Sequence, residues 1–256
     1  MKPGLVTITF RKLSPQAIVE AASAAGLACL EWGGDIHVPH GDWETARAVG
    51  QKTRDHNLEV RAYGSYYALA ESEAKGLAFE SVLDTAVALG APCIRVWPGK
   101  RGSAVADAAY RQLVADDALR VAELAQAKGI SLAYEFHGGS LTDTAASARA
   151  LLDATEHPGI FTLWQPPVGG TVEENLKGLA LVLPRLGHVH AFHWWPDAQH
   201  RLPLAEGAAA WERYLAAMRE GGKSPDVLLE FVPGDDPAVL AREAQTLLEL
   251  TGDFPA

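Results

Sequence analysis

The chain has 256 residues, of which 48% are hydrophobic and 21% are charged, a composition that is typical of a globular protein and excludes wholesale disorder. Its formal net charge of −10 argues against a nucleic-acid-binding protein, because such proteins need basic surface against the phosphate backbone. Two cysteines, Cys29 and Cys93, provide no disulfide framework, and no apolar stretch approaches the ~18 residues of a membrane span. The apolar stretch near the N-terminus is too short for a secretory signal, so we expect a cytoplasmic protein that does not bind membranes.

A strand followed by a helix recurs along the whole chain. In the first unit, Ser14 and Pro15 form a helix N-cap and a first helical turn, and Gly26 ends the Ala-rich segment that follows. The eight predicted strands are Leu5–Phe10, Leu27–Trp32, Leu58–Ala62, Cys93–Trp97, Ile130–Phe136, Ile160–Gln165, His188–Phe192 and Val227–Val232. The helices predicted after them lie near Gln16–Ala25, Asp42–His56, Ser72–Leu89, Ala104–Lys128, Asp143–Glu156, Val172–Leu183, Ala208–Glu220 and Pro237–Leu250.

Eight such units account for the length of the chain, since 256 residues divided by eight gives 32 residues per unit. A strand–helix–strand unit needs roughly 30 residues. Several strands are continuous apolar runs, as expected of parallel strands that are covered on both faces. The sequence therefore predicts an α/β fold, a (β/α)8 TIM barrel that forms a single domain over residues 1–256. The alternative, an open doubly wound sheet, is disfavoured because no Gly-rich phosphate loop follows the first strand.

Four consecutive strands end in residues that can bind a metal ion: Glu135, Gln165, His190 and Glu230. The active site of a TIM barrel lies at the C-terminal ends of its strands, where these side chains would meet. A buried carboxylate is costly unless it is paired or bound to a metal, and one divalent cation would serve both glutamates. Oxygen ligands with one imidazole suit Mn²⁺, Mg²⁺ or Co²⁺, and Zn²⁺ is also compatible. In the alternative interpretation, each glutamate pairs with Arg95 or Arg201.

The last four strands and the segment from His200 to Gly207 resemble the xylose-isomerase-like TIM-barrel sugar isomerases and epimerases, and the resemblance extends over essentially the whole chain. In that family, the fifth to eighth strands end in a Glu, an acid, a His and a Glu, which hold one divalent metal ion. The ligands that the resemblance implies here are Glu135, Gln165, His190 and Glu230. It further implies that Glu135 and Glu230 act as acid and base, that Arg201 contacts the substrate, and that the protein is a homo-oligomer.

The sequence departs from the family pattern at two positions. Gln165 stands where the family has an acid, usually Asp, so the ligand set carries two negative charges instead of three and should bind metal more weakly or prefer another ion. Val168 stands where the ketohexose epimerases usually have a substrate-contacting His, which argues against that substrate class.

Further candidates surround the predicted metal ligands. The substrate-binding residues that we predict are Trp32, Arg95, Trp97, His137, His193 and Arg201. Aromatic rings at strand ends can stack on a sugar, although they also cap barrel mouths and form oligomer interfaces. His137 and His193 are either substrate ligands or histidines of the loops. Glu31 either orients a metal ligand or forms a structural ion pair, and His188 is expected deeper in the barrel in a structural role.

The sequence thus predicts a divalent-metal-dependent carbohydrate isomerase or epimerase that moves a proton next to a carbonyl through a metal-stabilised enediolate. Two alternatives stay open. The same site would serve a sugar dehydratase or 3-keto-glycoside lyase, and the segment Leu141-Thr142-Asp143-Thr144 resembles the dehydratase branch. A non-catalytic barrel that binds a sugar or a metal is the other alternative, and Gln165 is the residue that favours it.

Overall fold

Eight parallel strands close into a barrel at the centre of the computed structural model, which describes residues 1–252. The barrel strands are β1 (Pro3–Val6), β2 (Cys29–Gly33), β3 (Glu59–Ala68), β4 (Cys93–Trp97), β5 (Ser131–Tyr134), β6 (Ile160–Trp164), β7 (Leu186–Ala191) and β10 (Asp226–Leu229). Each barrel strand pairs with its neighbours in the sequence, and β10 closes the ring against β1. The predicted (β/α)8 TIM barrel is confirmed.

One helix or more follows each barrel strand and covers the outside of the barrel. The helices are α1 (Pro15–Ala24), α2 (Trp43–Asp55), α3 (Phe79–Leu89), α4 (Ala108–Gln126), α5 (Ala145–Ala154), α6 (Val172–Val182), α7 (Ala208–Glu220) and α8 (Leu240–Thr251). Short polar side chains cap several of them, as where the Thr171 hydroxyl accepts from the backbone N–H of Glu174 at the start of α6. Within residues 1–252, no helix is both long enough and apolar enough to cross a membrane.

Alternation along the strands determines which side chains enter the barrel. In β2, Glu31 points inward to contacts on β4 and β7, whereas the neighbouring Trp32 points outward and donates its indole N–H to Thr53 of α2. At the N-terminal end of the barrel, Arg61 and Asp226 form an ion pair at 2.8 Å. The interior therefore contains charged pairs at two levels together with small apolar clusters, such as Ala62, Cys93 and Ala133, whereas the main apolar core lies between the barrel and the helices.

The structure differs from the predicted elements in several places, and one is the third strand, which continues to Ala68, beyond its predicted end at Ala62. The predicted first strand is split, because β1 ends at Val6 and a 3₁₀ turn covers Thr7–Phe10. The predicted third helix is shorter, since Gly76 adopts a left-handed φ of 88° that ends a 3₁₀ turn, and α3 begins only at Phe79. A two-stranded antiparallel hairpin, β8 (His193–Trp194) with β9 (Arg201–Leu202), lies in the long loop after β7 and was not predicted.

Candidate active site

The four predicted metal ligands all lie at the C-terminal end of the barrel. Glu135 follows β5 directly, Gln165 follows β6, His190 is the fifth residue of β7, and Glu230 follows β10. Glu135, His190 and Glu230 are buried, and Gln165 is half-buried. Polar contacts link the first of these to the last, because Glu135 contacts Arg95, which contacts Glu31, which in turn reaches Glu230 through His190.

A buried arginine beneath the site holds two of the carboxylates. The Nε of Arg95 donates to Oε1 of Glu31 at 2.6 Å, and its Nη1 donates to Oε2 of Glu135. The Arg95 side chain is 1% exposed, so its charge is neutralised by these partners and not by solvent. Burial by itself raises the pKa of Glu31, but the charges of Arg95 and His190 outweigh it and hold that pKa well below its usual range.

The second oxygen of Glu31 binds two histidines of β7. Its Oε2 lies 3.0 Å from the Nε2 of His188 and 3.0 Å from the Nε2 of His190, so both imidazoles can donate to it. A hydrogen bond from Nε2 leaves Nδ1 of His190 as the nitrogen that is free to bind a metal ion. Glu31 therefore forms the structural ion pair that was one expectation for it, and its contact with Nε2 of His190 is the one that orientation of this predicted ligand would need.

Gly64 of β3 provides the space for this ion pair. A Cβ at that position would lie 2.6 Å from Nη2 of Arg95 and 2.9 Å from Oε1 of Glu31, both too close for any real side chain. This role of Gly64 could not be predicted, because nothing in the neighbouring sequence indicates which interior side chains approach it.

The site carries an excess of negative charge. Three buried carboxylates lie close together here: Arg95 pairs with those of Glu31 and Glu135, and His190 contacts that of Glu230, so the formal charge of this group is −2 when His190 is neutral. Burial lowers the pKa of His190, but Glu31 and Glu230 outweigh it and raise the pKa to about 9. Such a site attracts a proton or a cation, and a divalent ion would balance its charge.

Two buried polar atoms of the predicted ligand set also fit a metal ion. Oε1 of Gln165 has no hydrogen-bond partner among the described residues, because the amide is held at its other end, where Nε2 donates to the carbonyl of Phe136 at 2.8 Å. Nδ1 of His190 likewise makes no hydrogen bond there, and it lies 3.4 Å from Oε2 of Glu230. Two ligand atoms at about 2.1 Å from one ion lie roughly 3.0–3.4 Å apart, so Nδ1 of His190 and Oε2 of Glu230 are suitably placed to bind the same ion.

A second group of ligand-type side chains lies deeper in the barrel. Glu31, His188 and His190 each offer an atom within 4.8 Å of the others. The hydrogen bonds from the two Nε2 atoms and from Arg95 already occupy both oxygens of Glu31. This inner group is therefore better suited to support His190 than to bind an ion itself.

The predicted substrate-binding residues are not all placed at the mouth of the barrel. Trp97 and His137 are, and their rings stack with centroids 4.7 Å apart, while the indole N–H of Trp97 donates to Glu135. Trp32 is fully buried against the helices, so it cannot contact a substrate, and the prediction for it fails because alternation turns it outward. Arg95 is 1% exposed and lies beneath the site between Glu31 and Glu135, so the alternative interpretation holds for Glu135, whereas the partner of Glu230 is His190.

The remaining two predicted residues lie in the loops of the mouth. Arg201 does not pair with a predicted ligand, since its Nη1 lies 2.5 Å and 2.6 Å from the two oxygens of Asp235. Its guanidinium covers the ring of Phe231 at 4.4 Å. His193 is half-buried against Gly207, and burial lowers its pKa.

A cavity of about 260 Å³ opens at the mouth and provides room for a small substrate. Gln165, His137 and Asp143 line it. Oδ2 of Asp143 accepts from the backbone N–H of Ser103 at 2.8 Å, whereas Oδ1 is buried and has no partner in the described part of the chain. Asp143 therefore offers this cavity a carboxylate that the sequence analysis noted only as part of a motif.

Comparisons with known proteins agree with this architecture. A family model described as "Xylose isomerase-like TIM barrel" matches residues 19–250. The structure resembles the probable 3-DHS dehydratase AsbF involved in petrobactin synthesis from Bacillus anthracis, with a TM-score of 0.80 at 22% identity over 96% of this chain and 98% of that one. It also resembles a D-psicose 3-epimerase (TM-score 0.73, 17% identity, 98% of each chain) and the IOLI protein with a bound zinc atom (TM-score 0.78, 15% identity, 100% of each chain). No curated protein sequence matches the chain. At these identities the likeness establishes the fold.

Proposed function

The chain belongs to the xylose isomerase-like TIM barrel family, and on that premise we propose that it is a divalent-metal-dependent carbohydrate isomerase or epimerase. The observation that carries the proposal is the pair of unpartnered buried ligand atoms, Oε1 of Gln165 and Nδ1 of His190, in a site with excess negative charge. Glu135, Gln165, His190 and Glu230 would hold the ion, for which Mn²⁺, Mg²⁺ and Co²⁺ are the favoured candidates and Zn²⁺ a further one. When bound, the ion would supply Lewis-acid stabilisation of an enediolate.

The contacts of the two glutamates suit them to proton transfer. Arg95 and the indole of Trp97 both donate to Oε2 of Glu135, which fixes the carboxylate and leaves Oε1 for the mouth. Glu230 follows β10, which pairs with β7, so it lies on the other side of His190 from Glu135. One of the two would remove a proton next to the substrate carbonyl, and the other would return one from the opposite face.

The substrate that fits these groups is a small carbohydrate. The mouth cavity of about 260 Å³ has room for one sugar unit, and the ring of His137, which stacks on Trp97, lines it. The net charge of −10 gives no electrostatic attraction to nucleic acid. A cytoplasmic location and a homo-oligomeric state remain predictions.

A lyase that acts by β-elimination is the second candidate, and Asp143 favours it. Elimination needs an acid for the departing oxygen in addition to the base that removes the proton. Asp143 has a buried oxygen without a partner in the described residues, and it shares the mouth cavity with His137. In the proposed isomerase Glu135 and Glu230 already serve as base and acid, whereas elimination would use Asp143 as a further acid for the leaving group.

Solvent exchange tests the proposal directly. The Mn²⁺-loaded protein is incubated in D₂O with a panel of pentuloses and hexuloses, and NMR follows deuterium at the carbon next to the carbonyl. We expect deuterium in a stereoisomer or positional isomer of one sugar; an unsaturated product would instead establish the lyase.

Glu135→Gln and Glu230→Gln should each lower the exchange rate by about 10²-fold or more. Glu212→Gln, at an exposed position of α7, serves as the control and should not change it. Absence of exchange with every sugar, in a protein that holds its ion, would contradict the proposal.

A further inference from the structure

A second cavity adjoins the mouth and is not explained by a single sugar unit. It has a volume of about 170 Å³ and lies between the loop after β6 and the loop after β7. The two spaces adjoin, because the same five residues line both of them: Pro166, Pro167, Val168, Phe192 and Trp194. A ligand at the mouth that reaches past these side chains would enter the cleft.

The walls of the cleft are mainly aromatic and aliphatic, and several of the polar side chains among them are already used. The amide of Asn175 donates to the hydroxyl of Tyr214 at 3.1 Å, and the indole of Trp211 donates to the carbonyl of Phe192 at 2.9 Å. A second sugar would lose hydrogen bonds to water here and gain few in return. The cleft therefore favours an apolar occupant.

Volume and shape narrow the choice of occupant. An apolar cavity of about 150 Å³ in another protein binds benzene, so the 170 Å³ cleft matches one six-membered ring. Flat aromatic walls favour a flat ring, which can stack or meet them edge-on. The indole Nε1 of Trp194 is buried without a partner among residues 1–252, and Trp194 stands where the two cavities meet. It can donate to a polar atom that links a ring in the cleft to a sugar at the mouth.

We propose that the cleft binds an aromatic ring that is attached to the carbohydrate, so that the substrate class is an aryl-substituted sugar and not a free monosaccharide. This inference rests on the proposed function, because it assumes that the sugar occupies the mouth. It explains why the loop after β6 presents Val168, an apolar side chain that is 40% exposed, to the space beside the metal ligands.

Matched glycosides test the inference. Titration calorimetry on the Mn²⁺-loaded full chain compares phenyl β-D-glucopyranoside with methyl β-D-glucopyranoside, which differ only in the group that would enter the cleft. The phenyl glycoside should bind at least tenfold more tightly, a difference of about 1.4 kcal/mol. Ala210→Phe fills the cleft and should remove this preference, whereas Ala209→Phe, at the exposed neighbouring position of α7, should retain it. Trp195→Ala removes an exposed wall and should weaken only the phenyl glycoside.

The outcomes separate this inference from the proposed function. Equal affinity of the two glycosides, no measurable binding of the phenyl glycoside, or an unchanged preference in both Ala210→Phe and Trp195→Ala would overturn the aromatic subsite. The cleft contains no predicted metal ligand, so the phenyl preference should survive treatment with EDTA. A protein that keeps this preference but neither binds Mn²⁺ nor exchanges protons would refute the proposed function and leave the subsite standing.

Discussion

Replacement of Gly64 by alanine should disrupt the ion pair beneath the site. The new Cβ would lie 2.6 Å from Nη2 of Arg95 and 2.9 Å from Oε1 of Glu31, so at least one of these groups must move. Both side chains are 1% exposed and have no route to water, and their pair is held at 2.6 Å. Forcing an extra methyl group into a packed interior costs about 1–3 kcal/mol. For a chain of this length, each kcal/mol lowers the Tm by about 2–4 °C, so we expect a loss of roughly 2–12 °C.

Thermal and urea unfolding, followed by circular dichroism, measure this loss. Gly138→Ala is the matched control, because a Cβ at Gly138 meets nothing within 4 Å and its φ lies outside the left-handed region. The control should stay within about 0.5 kcal/mol of the parent protein. If Gly64→Ala were as stable as Gly138→Ala, the buried network would not have the tight geometry on which the site is argued to depend.

Three further predictions concern the predicted ligands. Glu31→Gln removes the charged acceptor of His190 and should weaken Mn²⁺ binding by about 10–100-fold in a calorimetric titration; unchanged affinity would show that Glu31 does not orient the ligand. Gln165→Asp restores a third ligand charge and should tighten Mn²⁺ binding by about tenfold; unchanged affinity would place Gln165 outside the ligand set, and weaker binding would contradict the charge argument. Trp97→Phe removes the indole donor from Glu135 but keeps an aromatic ring, so proton exchange should slow by about 10–100-fold with unchanged metal content. Equal exchange rates would mean that this hydrogen bond does not position the carboxylate.

The barrel and the location of the site could be predicted because both follow from repetition. Eight similar strand–helix units are compatible with few topologies. Parallel strands in a closed barrel bring their C-terminal ends together independently of the conformation of the loops. Glu135, Gln165, His190 and Glu230 could thus be grouped from their positions at strand ends alone. Their contacts could not, since these depend on which side chains meet across the barrel.

Trp32 shows where strand-end reasoning fails. It is adjacent to Glu31, and successive side chains of a strand point to opposite faces, so both cannot enter the barrel. The buried acidic residue occupies the inward position, which turns the tryptophan toward α2. Gly64 shows a different limit, because its role depends on the approach of Arg95 from the neighbouring strand, and no local pattern encodes that distance.

The loops of the mouth were the least predictable part of the site. The hairpin of β8 and β9 is only two residues long on each side, too short for a periodic signal. It places Arg201 against Asp235, a residue 34 positions away in the sequence, so the arginine is held by a loop carboxylate and not by a predicted ligand. Hydrophobic periodicity does not predict such contacts between loops.

Metal stoichiometry tests the central claim most directly. The purified protein is dialysed against Mn²⁺, desalted and analysed for bound metal, together with the variants Glu230→Ala, His188→Ala and His193→Ala. The account predicts about one ion per chain, lost in Glu230→Ala, and retained in His188→Ala and in His193→Ala, whose side chain lies outside both ligand groups. No ion in the parent protein, or an ion that is lost in His188→Ala but kept in Glu230→Ala, would contradict a metal centre at the mouth of the barrel.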